Sequence, residues 1–167
     1  MKVIVTGATG FVGSEVLRQC INHADITSII VLTRRELSPE LTKNDKVKVL
    51  IHQDFEHYPA SVIREFQEAE ACLWCLGGPG VHFPDIATAR KVNINYPLAC
   101  AEVIARQVIP YLERPTFRFV LCSGAWAERD PSKWQSLWFL KDTRRYKVCD
   151  RPRNTTCRYA VADTLPG

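Results

Sequence analysis

The sequence predicts a three-layer α/β/α fold around a parallel sheet of about five strands in the order 3-2-1-4-5. Short runs of apolar, mostly β-branched residues recur along the chain, and such runs are typical of strands buried on both faces of a parallel sheet. Amphipathic segments separate the runs, which indicates helical crossovers between the strands. The first run, at residues 3–5, leads directly into a glycine-rich turn and a helical pattern, so we place it at the centre of the sheet.

The glycine-rich turn predicts the main binding site of the chain. Gly7, Gly10 and Gly13 stand at intervals of three between the first strand and a helical segment at 14–20. Such glycines permit a tight turn, close approach of the backbone to a pyrophosphate, and close packing of the helix on the sheet. The helix N-terminus adds unpaired N–H groups and the positive end of its dipole. We predict dinucleotide binding here, against the alternative of a purely structural turn. The predicted contacts are Gly7, Thr9, Gly10, Phe11, Val12 and Gly13.

Composition indicates one domain with reduced thiols. A chain of 167 residues that is 46% hydrophobic can bury one core but not two. It has no apolar run of about 18 residues, and the first strand follows Met1 at once, so we expect no signal peptide, no membrane span and a cytoplasmic or nuclear location. Seven cysteines, an odd number, favour thiols over a disulfide framework. Cys72 and Cys75 form a CxxC, but residues three apart on a strand point to opposite faces, so we expect no metal site.

The positive net charge is confined to the end of the chain. Residues 1–140 carry 15 basic and 15 acidic side chains, whereas residues 141–167 carry 7 and 3, which accounts for the net charge of +4. A nucleic-acid surface is a basic stripe with interleaved aromatic residues, so nucleic acid is not an expected partner. We predict an NAD(P)-binding domain over residues 1–141 and a basic, poorly ordered or aberrant tail over residues 142–167.

The rest of the chain continues the alternation of strands and helices. The predicted strands are 27–33, 47–51, 71–76 and 117–122, and the predicted crossover helices are 61–69 and 84–107. Pro97 should bend or split the second of these helices at Tyr96, because proline lacks a backbone donor and clashes with the preceding turn. Gly77 and Gly78 follow the fourth strand, at the sheet edge where open α/β sheets bind their ligands.

Two arginines stand where the type of dinucleotide is decided. Arg34 and Arg35 follow the second strand directly, and the first acidic residue after them is Glu36. An acidic residue at this point would bind the ribose 2′-hydroxyl of NAD, whereas arginine accommodates the 2′-phosphate of NADP. We therefore expect NADP(H), with NAD(H) the less favoured cofactor. The alternative is that one or both arginines only end the strand in water, and Arg35 fits that role better.

Five motifs in a fixed order resemble the short-chain dehydrogenase/reductase superfamily. They are TGATGFVG, LTRR, DF, CLGG and CSG, and the resemblance covers residues 1 to about 141. The spacing TGxxGxxG is similar to that of the extended and atypical branches, near the NmrA-like and Tat-interacting-protein-like groups. The resemblance implies a Rossmann fold, a nicotinamide dinucleotide and oxidoreductase activity on a small carbonyl substrate.

The same resemblance implies roles for individual residues at the carboxyl ends of the strands. Asp54 and Phe55 correspond to an acidic and hydrophobic pair that lies at the adenine of the cofactor. A turn or helix-capping role fits the loop context of Asp54 as well. Leu76, Gly77 and Gly78 correspond to the turn that lies against the nicotinamide-side ribose and phosphates.

The catalytic residues implied by the resemblance are incomplete. Ser123 corresponds to the serine that orients the substrate carbonyl, and Lys141 to the lysine that lowers the pKa of a catalytic tyrosine. The residue four positions before Lys141 is Leu137, and no YxxxK occurs anywhere in the chain. Without that tyrosine, proton transfer would lose about two to four orders of magnitude in rate. A turn role explains Ser123 equally well.

Three functional hypotheses follow from these observations. The first is an NADPH-dependent oxidoreductase that acts on a small carbonyl substrate. The second is a catalytically inactive NADP(H)-binding regulatory or protein-interaction module, favoured by the missing YxxxK and the missing substrate-binding region. The third is a fragment that does not fold stably alone. A sheet that stopped at the fifth strand would leave an unpaired edge, open to aggregation, to a protein partner or to a second copy of the chain.

Overall fold

A parallel β-sheet forms the centre of the protein in a computed structural model, which describes residues 1–114, 116–123 and the backbone of 157–162. Within these ranges the strands are β1 (Lys2–Thr6), β2 (Ser28–Thr33), β3 (Val47–Ile51), β4 (Ala69–Trp74), β5 (Phe117–Cys122) and β6 (Cys157–Ala162). The α-helices are α1 (Phe11–Asn22), α2 (Pro39–Thr42), α3 (Ala60–Phe66), α4 (Ile86–Arg90) and α5 (Tyr96–Gln107). A π-helical turn at Lys91–Asn95 joins α4 to α5, and short 3₁₀ turns lie at Gly80–His82 and Ile109–Tyr111.

The strands lie side by side in the order β3-β2-β1-β4-β5-β6, and each neighbouring pair is parallel. This arrangement confirms the predicted order 3-2-1-4-5 for the first five strands. β1 is central, since Ile4 is opposite Ile30 of β2 on one side and Cys72 of β4 on the other. The strand order reverses between β1 and β4, and open α/β sheets bind their ligands at such a reversal.

The sixth strand corrects the expectation that β5 is an unpaired edge. β6 pairs with the whole of β5, from Phe117 opposite Cys157 to Cys122 opposite Ala162. The sequence pattern did not indicate this strand because the run is short and follows a basic segment that contains Pro152. The edge of the sheet is therefore β6. The rest of the predicted tail lies outside the described residues.

Alternating side chains of the strands divide the interior into two layers. On one face, Ile4 and Trp74 pack with buried residues of α3 and α5. On the opposite face, Val5 packs with Leu17 of α1. Because successive residues of a strand point to opposite faces, helices are needed on both sides of the sheet. The three-layer α/β/α prediction is confirmed.

The long helical pattern at 84–107 changes its hydrogen-bond pattern next to the proline. α4 passes through the π-helical turn, and α5 begins at Tyr96 with Pro97 in its first turn. The backbone stays helical at Arg90, Asn95 and Tyr96, so the helical path continues past the N–H that proline lacks. In the ranges that the structure describes, every helix is too short or too polar to cross a membrane.

Candidate functional site

The turn between β1 and α1 is so tight that two of its glycines admit no side chain. Gly7 has a φ of +70°, in the left-handed region that favours glycine. A β-carbon on Gly7 would lie 2.5 Å from the carbonyl carbon and oxygen of Cys75. A β-carbon on Gly13 would collide with the carbonyl oxygen of Gly7. Helix α1 therefore packs directly on the turn, without any intervening side chain.

Gly10 has a different environment from the other two glycines of the motif. Its N–H donates to the carbonyl oxygen of Gly7 over 2.9 Å and closes the turn. A β-carbon on Gly10 would meet a single atom within 4 Å, the carbonyl oxygen of Gly7 at 3.3 Å. Thr9 and Gly10 are exposed, and Phe11 is 96% exposed. Apart from this one tight contact, Gly10 is exposed, which is the property that lets a pyrophosphate approach its backbone.

The N-terminus of α1 is open to an anion. Gly10 is the N-cap, no side chain caps the helix, and its first turn contains no acidic residue. The N–H groups of Phe11, Val12 and Gly13 belong to this turn, where an α-helix offers no internal acceptor. The positive end of the helix dipole adds to their attraction for a negative group. Phosphate groups bind at helix termini of this kind.

A threonine hydroxyl joins the ends of β1 and β4. Thr6 is fully buried, and its Oγ1 accepts hydrogen bonds from the N–H of Cys75 over 3.2 Å and of Leu76 over 3.3 Å. The indole Nε1 of Trp74 donates to the carbonyl oxygen of Leu76 over 2.9 Å. These bonds fix the path of the chain as it leaves β4. Sequence reasoning missed Thr6, and its place directly before the glycine turn was the only available signal.

Asn93 holds the second glycine turn, which follows β4. It lies in the π-helical turn and is 9% exposed. Its Oδ1 accepts from the N–H of Gly78 over 3.0 Å, and its Nδ2 donates to the carbonyl oxygen of Ala89 over 3.0 Å. A β-carbon on Gly77 would lie 2.8 Å from Asn93 Oδ1, so the glycine and the amide fit closely. π-Helical turns occur frequently at functional sites.

Arg34 and Arg35 leave the end of β2 as exposed side chains. Their backbone is held in place: Thr33 Oγ1 donates to the carbonyl oxygen of Arg35 over 2.9 Å, and Gln53 Nε2 donates to that of Arg34 over 2.8 Å. Within the described part of the chain, neither guanidinium takes part in an ion pair. An ordered backbone that carries two unpaired guanidinium groups suits a phosphate brought by a ligand.

The predicted adenine pair consists of a surface residue and a core residue. Asp54 is exposed; its carboxylate bonds to His57 Nδ1 over 2.8 Å and accepts from the N–H of Glu56 over 3.0 Å. The hydrogen bond with His57, and after it the bond from Glu56, lower the pKa of Asp54. Both bonds are local, so the carboxylate stabilises the turn. Phe55 is 1% exposed, with its ring centroid 6.0 Å from that of Trp74 and 5.5 Å from that of Tyr96. Its side chain belongs to the core, so a contact with a cofactor would come from its backbone.

Glu56 ties the loop after β3 to the helix that carries Asn93. Its carboxylate lies 2.8 Å from Lys91 Nζ and accepts from Asn95 Nδ2 over 3.2 Å. The hydrogen bonds from Lys91 and Asn95 lower the pKa of Glu56. The Lys91 ammonium also lies 5.8 Å from the centre of the Tyr96 ring. The two sides of the predicted cofactor site are therefore linked by charge as well as by packing.

Ser123 lies directly after β5, at the same edge of the sheet. It is 5% exposed, and its Oγ has no hydrogen-bond partner among the described residues. Buried polar groups are normally paired, so this hydroxyl is an exception that calls for a ligand or a further partner. Lys141, the second predicted catalytic residue, lies outside the described residues. Across the described ranges, no group of three or more His, Cys, Asp and Glu residues could hold a metal ion.

A comparison with sequence families decides which family this arrangement represents. The model of the NAD dependent epimerase/dehydratase family matches residues 3–149, which include both glycine turns and Ser123. The chain belongs to this epimerase/dehydratase family. Membership confirms the resemblance to the extended short-chain dehydrogenases, and the family is described as NAD dependent.

Sequence relatives of this epimerase/dehydratase member are distant and much longer. Leucinostatins biosynthesis cluster protein T of Purpureocillium lilacinum is 30% identical over 79 residues, which are 47% of this chain and 29% of that protein. Hybrid PKS-NRPS synthetase mycA of Thermothelomyces thermophilus is 28% identical over 118 residues, which are 65% of this chain and 3% of that protein. The chain therefore spans less than a third of each of these curated relatives.

Solved structures share the fold at low sequence identity. UDP-glucuronic acid 4-epimerase from Bacillus cereus in complex with NAD has a TM-score of 0.64 and 15% identity, covering 88% of this chain and 48% of its own. The dTDP-glucose 4,6-dehydratase DesIV of Streptomyces venezuelae with NAD bound has a TM-score of 0.57 and 19% identity, covering 75% and 40%. At such identities the likeness establishes a shared Rossmann-like fold.

Proposed function

We propose that the chain binds a nicotinamide dinucleotide across the carboxyl ends of β1, β2 and β4, with the pyrophosphate at the N-terminus of α1. The observation that carries the proposal is the contrast within the glycine turn. Gly7 and Gly13 are glycines because no β-carbon fits, whereas a β-carbon on Gly10 would meet one atom, at 3.3 Å, and Gly10 is exposed beside the uncapped N–H groups of the helix. A purely structural turn would require the first property but not the second. Family membership and the NAD-bound neighbours support the same class of cofactor.

The arginine pair favours NADP(H) over NAD(H) in this proposal. Arg34 and Arg35 stand at the end of β2, exposed and without ion pairs among the described residues, and no acidic side chain occupies their place. We assign the 2′-phosphate to Arg34, the first residue after β2, because Arg35 fits the role of ending the strand in water better. A planar guanidinium binds two phosphate oxygens at once.

The proposed reaction is hydride transfer to a small carbonyl compound in the cytoplasm. The bound dinucleotide supplies the hydride. The buried hydroxyl of Ser123, which has no partner among the described residues, donates to the carbonyl oxygen of the substrate and polarises the carbonyl. The turn of Leu76 to Gly78, held by Thr6 and Asn93, supports the nicotinamide end. Because the chain has no YxxxK tyrosine, water or another group would deliver the proton.

The absent YxxxK also favours a second candidate, an NADP(H)-binding regulatory or interaction module without turnover. In this case the cofactor orders the glycine turns, and a protein partner or a second copy of the chain binds only the ordered form. The two candidates share the binding site and differ only in whether hydride leaves it. Oxidation of bound NADPH in the presence of a panel of quinones and aldehydes distinguishes them.

Two single substitutions test the binding site. Gly10→Ala should lower the thermal midpoint less than Gly13→Ala does, because its β-carbon meets one atom, the carbonyl oxygen of Gly7 at 3.3 Å, which must shift by only a few tenths of an ångström. The same methyl group points to where the pyrophosphate would lie, so affinity for NADPH should fall at least about tenfold, or about 1.4 kcal/mol. Gly13→Ala should lower stability and binding together, because its β-carbon collides with the Gly7 carbonyl oxygen. Undiminished NADPH affinity in Gly10→Ala would refute the proposed site.

A further inference from the structure

Two thiols meet at the carboxyl ends of β4 and β5. Cys75 is the first residue after β4 and Cys122 is the last residue of β5. Trp74 is opposite Leu121 in the ladder, so Cys75 comes opposite Cys122 one step later. The two side chains are hydrogen-bonded to each other. Both thiols are partly exposed, which distinguishes them from the buried Cys20, Cys72 and Cys100.

The spacing of the two strands suits a covalent bond between these sulfurs. Neighbouring strands of a sheet lie about 4.8 Å apart, and disulfides join residues whose Cα atoms are roughly 4.4–6.8 Å apart. Residues two positions apart on a strand share a face, so Cys75 and Cys122 continue the face of the opposed pair Leu73 and Val120. The register therefore brings the two cysteines to neighbouring positions on one face, at a strand spacing of about 4.8 Å that falls within the Cα range of disulfides.

We propose that Cys75 and Cys122 form a redox-sensitive dithiol that glutathione disulfide converts into an intrachain disulfide. The pair lies at the wall of the cofactor site. The carbonyl group of Cys75 is the one that a β-carbon on Gly7 would strike, and the next three residues form the second glycine turn. A disulfide that draws the ends of β4 and β5 together would therefore shift the position of this turn.

The exchange proceeds in two balanced steps. The Cys122 thiolate attacks one sulfur of glutathione disulfide, forms a mixed disulfide and releases one glutathione thiolate. The Cys75 thiolate then attacks the Cys122 sulfur and releases the second glutathione. The two cysteines lose two electrons and two protons, and the glutathione disulfide gains them as two thiols.

The order of attack follows from the difference between the two thiols. The hydrogen bond with Cys122, followed by burial, raises the pKa of Cys75. Because the thiolate is the attacking species, we assign the first attack to Cys122 and the second to Cys75. The rate of cross-linking should therefore rise with pH, because the second step needs the Cys75 thiolate.

Disulfide mapping of the full chain tests the proposal without any variant. The reduced protein is incubated with glutathione disulfide at pH 8, alkylated with iodoacetamide, digested and analysed by mass spectrometry. We expect one peptide pair that joins Cys75 to Cys122 and that dithiothreitol separates. Separate alkylation or separate glutathionylation of the two cysteines, or a bond from either to another cysteine, would overturn the proposal.

Matched variants assign the two steps. In Cys75→Ser the mixed disulfide with glutathione should accumulate on Cys122, because the resolving thiol is gone. In Cys122→Ser the cross-link should vanish and Cys75 should react slowly. Cys100→Ser is the control, since Cys100 is a buried thiol in the core between the sheet and α5, and this variant should keep the cross-link. Faster glutathionylation of Cys75 than of Cys122 would reverse the assigned order.

The effect on the cofactor rests on the proposed function and is measured separately. We expect the cross-linked chain to bind NADPH at least about tenfold more weakly than the reduced chain, with affinity restored by dithiothreitol. Equal affinity in a fully cross-linked sample would refute the effect on the site while leaving the disulfide intact. Absence of binding by the reduced chain would count against the proposed function, not against the dithiol.

Discussion

Replacing Thr6 with valine tests whether a single hydroxyl organises the junction between β1 and β4. Valine has nearly the shape of threonine but leaves the part-buried N–H groups of Cys75 and Leu76 without the acceptor that the fully buried Thr6 supplies. An unpaired buried N–H costs about 1–3 kcal/mol. The two bonds are long, at 3.2 and 3.3 Å, so we take the lower end for each and expect a loss of about 2 kcal/mol.

The assay is thermal unfolding, with Thr6→Ser as the control. For a domain of this size 1 kcal/mol corresponds to about 2–4 °C, so Thr6→Val should lower the midpoint by about 4–8 °C. Serine keeps the hydroxyl and loses one methyl group, which costs about 0.8 kcal/mol. The thermal midpoint of Thr6→Ser should therefore fall by less than that of Thr6→Val. If the hydrogen bonds matter most, the valine variant is the less stable of the two; if the buried methyl group matters most, the serine variant is. A valine variant as stable as the unmodified chain, beside a destabilised serine variant, would refute the hydrogen-bond reasoning.

Three further predictions address the charges and the second turn. Arg34→Asp should weaken NADPH binding by about one to two orders of magnitude, the worth of a charge-assisted hydrogen bond, and should leave NADH binding nearly unchanged in parallel titrations. Asn93→Ala leaves the N–H of Gly78 without its acceptor and should lower both the thermal midpoint and dinucleotide affinity, whereas a stable variant with full affinity would contradict the role of Asn93. The pKa of Glu56 is lowered by Lys91, so its ion pair stabilises the fold above the ordinary glutamate pKa of about 4.3 and is lost as pH falls through the lowered value. Thermal midpoints measured from pH 6 to pH 3 should therefore decline less in Glu56→Gln than in a Glu40→Gln control. Equal declines in the two variants would contradict a stabilising Glu56–Lys91 ion pair.

The parts of the fold that follow from local rules could be predicted from sequence. The apolar, β-branched run of β1 and the start of α5 at Tyr96 depend on chain periodicity and on one proline. The glycine turn depends on backbone space alone, so Gly7 and Gly13 were identifiable before any contact was known. Each of these signals is contained within a few residues of the chain.

The parts that depend on contacts between distant segments could not be predicted. Asn93 has its role because a π-helical turn brings it to Gly78, and no local pattern shows that. Phe55 matched a motif for a cofactor contact, but aromatic neighbours from two other elements place its side chain in the core. The strand at 157–162 was missed because its pairing with β5 spans a long intervening segment.

Dinucleotide binding is tested by calorimetric titration of the full reduced chain with NADPH and with NADH in parallel. We expect saturable binding of both, with NADPH bound at least about tenfold more tightly, the minimum worth of one charge-assisted contact from Arg34. Equal affinities would remove the 2′-phosphate assignment. A chain that unfolds cooperatively on heating and yet binds neither dinucleotide would contradict the central claim, because the open turn at Gly10 would then have no ligand to explain it.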